Sequence, residues 1–226
     1  HLLTAPNTTS TISLTRICLL TASVFLAVPS ALAQGAALDA IDTNASNQRQ
    51  ASAAAVQRDA AKHFSNVAPG VVKDSRTGLE WMRCSLGQDW SEPAKTCNGR
   101  VRTYTWHGAL DIADKLNVVG GYAGRTNWRV PTVRELQSLR YCFNGFVSEM
   151  RDLQDGKGSM QSYCAKGYTR PTIAQAVFPA MDSDKLWYWS SSPYAGDAGG
   201  AWGVYFGNGD VDYGDRRYYG AVRLVR

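Results

Sequence analysis

The stretch Trp128–Leu139, WRVPTVRELQSL, admits very few conformations. Trp128 and Val130 alternate with Arg129 at the period of a half-buried strand. Pro131 has no N–H to give to a neighbouring strand and ends the run. Thr132, followed three residues later by Glu135, makes a capping box, in which each side chain accepts from the other's backbone N–H. Val133, Leu136 and Leu139 then share one face of the helix started there. Both Trp128 and that face need cover, so the rest of the domain is expected to pack against them.

Upstream, Arg16 precedes an apolar run, Ile17–Ala33. The run is too short and too interrupted to span a membrane. It closes on Ala31-Leu32-Ala33, the small-x-small pattern of a secretory cleavage site. Residues 1–33 therefore read as a signal peptide cut after Ala33. Pro29 argues against an anchor, and Cys18 opens the run instead of closing a lipid-attachment motif. Residues 34–66 are rich in Ala, Gln, Asn and Asp, and Leu38, Ile41, Val56 and Phe64 keep no heptad. They read as a partly helical spacer with little to bury, an oligomerising helix being the sharper alternative. Residues 67–226 form the domain. The expectation is an exported protein, periplasmic or at the cell surface, with no membrane span once the leader is removed.

Downstream of the cut stand four cysteines, Cys84, Cys97, Cys142 and Cys164. An even number in an exported chain points to two disulfides. Three pairings are open. Cys84–Cys97 with Cys142–Cys164 is favoured, because each bridge would close a long loop rich in glycine and polar residues. Chain entropy gives roughly 3 kcal/mol for each such loop. There is no C-x-x-C, and neither His63 nor His107 stands at ligand spacing from a cysteine, so no metal or cofactor is expected. RDLQDGKG, residues 151–158, carries Asp152 and Asp155 but lacks the EF-hand spacing and its closing Glu. It reads as a solvated turn. The net charge of +5 permits an acidic partner without requiring one. Nucleic acid is not expected, and the oligomeric state is open.

Taken in order, Val71–Lys73 and Leu79–Arg83 read as a hairpin across DSRTG, with Trp81 inward. Cys84–Arg102 reads as a polar loop. Trp106, Ala109, Leu110, Ala113 and Leu116 fall at helical spacing behind the cap Thr105, and Gly120 and Gly121 end the helix. Cys142–Pro179 reads as irregular apart from a short helix in PTIAQAVFP. The last forty residues are strand-rich, with a tight hairpin at GNGD. Two short helices on a small antiparallel sheet, with long disulfide-closed loops, make an α+β domain. Arg129, Arg134, Arg140 and Arg223 are expected to support packing with their stems or to form exposed ion pairs.

Several of these segments together resemble one known family. They are D-x-x-T-G-L-x-W (Asp74, Thr77, Gly78, Leu79, Trp81), W-x-x-A-L (Trp106, Ala109, Leu110), GGYAGRTNWRVPTVREL, YWSSSPY, AWGVYFGNGDV and AVRLVR. The resemblance is to the bacterial domain family named for the C-terminal domain of the Legionella collagen-like adhesin, and it covers roughly Val67 to Arg226. It implies an exported or surface protein and a C-type-lectin-like fold, one also used by formylglycine-generating enzymes and by retroelement-diversified receptors. The namesake adhesin binds sulfated glycosaminoglycans. No G-x-y repeat stands in this chain, and the resemblance carries no catalytic residue.

The function expected is a non-catalytic binding or adhesion module for sulfated or acidic glycans. The candidate surface is Tyr205, Asn208, Asp210, Asp212, Tyr213, Arg216, Arg217 and Tyr218. These residue types suit adaptable recognition, and a guanidinium fork matches sulfate or carboxylate. The alternatives are an envelope protein that contacts other proteins, a retroelement-diversified receptor and a formylglycine-generator-like enzyme. Against an enzyme, Ser190–Ser192 has no nucleophile elbow around it, His107 falls on the exposed side of its helix, and Glu135 is committed to capping.

Overall fold

The computed structural model describes residues 43, 46–48, 51–52, 54–151, 159–182 and 187–226. The chain divides into two units, residues 1–45 and 46–226, and the second holds the sheets and helices that follow. The leader assigned to residues 1–33 lies outside the described residues, as do Asp152 and Asp155. No helix among the described residues is long and apolar enough to cross a membrane.

Among the described residues, three sheets and a few short helices make the folded unit α+β. β1 (Phe64–Ala68), β2 (Val71–Asp74) and β3 (Glu80–Met82) form an antiparallel sheet, the last two being the expected hairpin. β4 (Gln88–Ser91) and β5 (Thr96–Gly99) form a second hairpin. The third sheet combines β6 (Thr103–Tyr104), β7 (Phe146–Arg151), β8 (Ser159–Cys164), β9 (Trp187–Pro193), β10 (Gly200–Tyr205), β11 (Asp210–Asp215) and β12 (Gly220–Ala221). Its order is β6-β12-β9-β10-β11-β8-β7, antiparallel throughout except where β12 runs parallel to β9. The sheet is thus larger than the small one expected. Cys84–Arg102 is no mere loop, because it contains the β4–β5 hairpin. Cys142–Pro179 likewise contains the β7–β8 hairpin. Both runs are short and polar on one side, so they carry little alternation. β4 pairs with β5 close by in sequence, whereas β8 is joined to the large sheet through β11.

α1 (Trp106–Val118) starts where the Thr105 hydroxyl accepts from the Gly108 N–H at 3.3 Å, and it buries Trp106, Ala109 and Ala113. It ends at Val119, and the Gly121 N–H turns back onto the Leu116 carbonyl at 2.8 Å. α2 (Val133–Gln137) is a short helix with both halves of the capping box in place. The strand expected before it is reduced to a single bridge from Arg129 to Val225. In PTIAQAVFP a single turn replaces the expected helix: the Phe178 N–H donates to the Ala174 carbonyl at 2.9 Å.

Residues 222–226 are the hub. Met82 and Leu86 donate to the carbonyls of Leu224 and Val222, while Val225 exchanges both of its backbone bonds with Arg129. The segment therefore joins β3 to Trp128–Val130. It is buried on both sides: Val222 and Leu224 pack with Trp106, Trp128 and Trp189, whereas Ala221 and Val225 pack with Trp81, Leu136, Phe178 and Tyr188. Arg223 follows the same alternation into the second group and is 1% exposed. Its guanidinium donates to the carbonyls of Met82 (3.0 Å) and Arg83 and to the Ser85 hydroxyl (3.3 Å), and it lies 4.7 Å from the centre of the Phe178 ring. Arg223 thus forms no exposed ion pair, and not only its stem but its guanidinium is packed inside. Where both faces of a strand are covered, alternation has no solvent side to point to. Of the other three, Arg129 pairs with Glu135, Arg140 donates to the Ser162 and Gly209 carbonyls, and Arg134 is exposed.

The two disulfides are Cys84–Cys97 and Cys142–Cys164, the favoured pairing. The folded unit also reaches back into the stretch read as spacer. Residues 54–61 are helical, Ala60 is buried in the core, and Phe64 meets Phe178 edge to face at 5.3 Å. Gly203 shows how tightly β9 and β10 meet. A Cβ there would overlap the Trp187 ring and stand 2.7 Å from the Tyr188 carbonyl oxygen.

Candidate functional site

The residues singled out near the β10–β11 hairpin are not brought onto one surface. Cross-strand partners share a face. Tyr213 pairs with Trp202, one face of the sheet, while Asp212 pairs with Gly203 and Asp210 with Tyr205, the other. Tyr213 stacks on Tyr194 at 3.9 Å between ring centres, and Trp202 stands edge-on to both. On the opposite face the Tyr205 hydroxyl accepts from Arg170 at 2.7 Å, and the Asp210 carboxylate accepts from Gln161 at 2.5 Å. Asn208 is structural: its side-chain oxygen accepts from the Asp210 N–H at 3.1 Å and closes the turn. Tyr218 is 68% exposed, with Tyr219 beside it at 69%.

The two arginines that follow do meet at a cleft. It has a volume of about 420 Å³ and is lined by His107, Asp197, Gly199, Asp215, Arg216 and Arg217. Arg216 is built into its wall. Its N–H donates to the Gly199 carbonyl at 2.8 Å, and its own carbonyl accepts from the Trp106 N–H at 3.0 Å. Its guanidinium stacks 4.2 Å from the Trp106 ring centre and donates from Nε to the Gly200 carbonyl at 2.9 Å. The Trp106 indole is held in turn by the Ser190 carbonyl at 2.8 Å, and the His107 ring meets it edge-on at 4.9 Å. No carboxylate among the described residues lies within ion-pair distance of Arg216, although Asp197 and Asp215 line the same cleft.

Arg217 differs. Its side chain is 88% exposed and paired with Asp215 at 2.5 Å. The Arg217 guanidinium and backbone N–H hold the Asp215 carboxyl down at about 2, and Asp215 in turn raises Arg217. An exposed pair of this kind is weak and yields to a competing anion. Asp197 spends one oxygen on the Gly199 N–H at 2.8 Å. Chemically the cleft offers one preorganised guanidinium, a second that an anion can draw from Asp215, and an exposed imidazole. Such forks match sulfate and carboxylate oxygens.

Three parts of this cleft escaped the sequence reading. Trp106 shows only as a core position of α1 and His107 as a lone histidine on the open side of the same helix, while nothing in the sequence singles out Asp197. Only the pairing of β6 with β12, Gly220 opposite Tyr104, brings residues 104–107 beside the loop before it. Residues 70–226, more than half of the chain, match the family model described as the Lcl C-terminal domain. No curated protein matches the chain.

Proposed function

This chain belongs to the Lcl C-terminal domain family, and we propose that it serves as an exported, non-catalytic binding module for acidic or sulfated glycans. The observation that carries the reading is Arg216: a guanidinium stacked on Trp106, fixed at Nε, and without a carboxylate partner among the described residues, on the wall of an open cleft. A rigid donor loses little side-chain entropy on binding. Arg217 supplies the second fork and Tyr218 and Tyr219 an exposed aromatic margin. Export to the periplasm or cell surface is supported by two disulfides, which persist in oxidising compartments. Short helices, antiparallel sheets and disulfide-held loops support the finer assignment of a C-type-lectin-like fold.

A second reading, contact with another envelope protein, is favoured by the exposed Phe143 and Phe146, 63% and 52% exposed. Phe143 also lines an apolar groove with Tyr141. Retention of the oxidised chain on immobilised heparin across a salt gradient separates the two. The expected result is retention beyond that of a charge-matched control, falling steeply with salt because exposed charges are screened, and lost in Arg216→Ala/Arg217→Ala. Retention that survives the double substitution removes the site. No retention removes the polyanion reading and leaves the protein-contact reading in front.

A further inference from the structure

A second cleft lies against the β4–β5 hairpin, near the N-terminal sheet. It has a volume of about 350 Å³, within the range of small-ligand sites. Its walls are of three kinds. Ala68, Pro69 and Ala123 are apolar and small, Trp90 and Tyr122 are aromatic, and Glu92 is the polar edge. We propose that this cleft is a binding site for the pyranose ring of a neutral sugar, stacked on Trp90.

Trp90 is held as a platform. Behind it the Arg83 guanidinium lies 4.3 Å from the ring centre. Arg83 is itself fixed by the Val177 carbonyl (2.8 Å), the Ala176 carbonyl (2.9 Å) and the Asn66 side chain (3.2 Å). The Trp90 indole N–H donates to Glu92 at 2.6 Å. Trp90 pairs across the hairpin with Cys97, whose bridge to Cys84 ties the hairpin to the residues after β3. Tyr122 is equally constrained. A Cβ on Gly70 would overlap its hydroxyl, its carbonyl accepts from the Trp128 indole at 3.0 Å, and its ring meets Trp128 edge to face at 6.2 Å. Among the described residues its hydroxyl makes no hydrogen bond. The Tyr122 hydroxyl is therefore available to a ligand.

This combination selects a ligand class. A pyranose has an apolar C–H face, which suits an aromatic platform, and an edge of hydroxyls, which suits a phenol and a carboxylate. An organic cation also favours aromatic rings. Here, however, Arg83 already occupies one side of the indole and weakens its attraction for a second cation, and Lys95 already pairs with Glu92. Glu92 is thus already paired, while Asp89, near enough to add to the rise that burial gives the Tyr122 phenol, and Glu92 at the edge both turn an anion away.

The test uses the full oxidised chain and saturation-transfer NMR with maltotriose, cellotriose and chitotriose, and with tetramethylammonium as the cation probe. At least one trisaccharide is expected to bind below about 10 mM. Trp90→Ala should weaken it by about tenfold or more, and Tyr122→Phe, which keeps the ring and the packing, should weaken it several-fold. Arg216→Ala/Arg217→Ala should leave it unchanged, so heparin retention and sugar binding fail separately. The proposal is overturned if no trisaccharide binds, if binding survives both cleft substitutions, or if tetramethylammonium binds in preference. Unfolding of the Trp90 variant leaves the Tyr122→Phe result to decide.

Discussion

Glu135 couples the α2 cap to the buried 222–226 segment, and protonating it should loosen both. One oxygen accepts from the Thr132 N–H at 2.8 Å, and the two oxygens take the Arg129 guanidinium at 2.7 and 2.8 Å. The backbone of Arg129 is bonded on both sides to Val225. The Arg129 fork is the main reason the Glu135 carboxyl sits near 2 in place of 4.5, with the Thr132 backbone adding to it and burial opposing. A drop of that size bounds the stabilisation at about 3 kcal/mol. Glu135 is 22% exposed and Arg129 46%, so water screens the pair and about 1–2 kcal/mol is realised. The folded carboxyl titrates below its unfolded value, so this stability is complete above about pH 5 and is lost as pH falls towards about 2. Glu135→Gln keeps an oxygen for the Thr132 N–H but removes the charge. Urea unfolding of both proteins, followed by tryptophan fluorescence at several pH values, isolates the effect, because other carboxylates cancel in the difference. The gap should be about 1–2 kcal/mol at neutral pH and mostly gone near pH 2. A gap that stays constant over that range would refute the reasoning.

Four further outcomes follow from the packing. Gly203→Ala drives a methyl into the Trp187 ring and should lower stability by about 2–3 kcal/mol in denaturant titration. Arg223→Ala, which empties a fully buried site and strips the Met82 and Arg83 carbonyls of a donor, should cost about 4 kcal/mol or more. Arg223→Met keeps the volume and removes the cost of a buried charge, so about half of that loss is expected by the same titration. Cys142→Ser/Cys164→Ser opens a loop of sequence separation 22 and should lower the unfolding midpoint by an amount equivalent to roughly 3 kcal/mol.

What could be read from residues alone follows the range of the interactions concerned. The cap at Thr132 and Glu135, the cap at Thr105 and the glycine stop after α1 are local hydrogen-bond devices, and all three stand as expected. The β2–β3 and β10–β11 hairpins have turn residues between alternating runs, and they too were legible. The β4–β5 and β7–β8 hairpins were not. Neither the four-residue strands of β4–β5 nor the six-residue strands of β7–β8 alternate cleanly, and what holds them is the Cys84–Cys97 and Cys142–Cys164 bridges and the pairing of β8 with β11. The candidate site divides in the same way. Arg216 and Arg217 stood out for their charge, but a list of neighbours in sequence cannot show that Tyr213 and Asp212 face opposite ways across a sheet, nor that Trp106 stacks under Arg216.

The sequence thus determined what depends on contacts a few residues long: where helices start and stop, which turns close, and the family to which those motifs belong; it favoured one cysteine pairing of three, and the fold chose it. Tertiary structure decided which side of each strand meets a partner. Arg223 lies within an apolar run that looks amphipathic from its own residues alone. It becomes a core residue because sheets and helices arriving from elsewhere in the chain cover both faces of residues 222–226. Period-two alternation fixes only that neighbours point apart. Which of the two directions is water is settled by everything that packs around them.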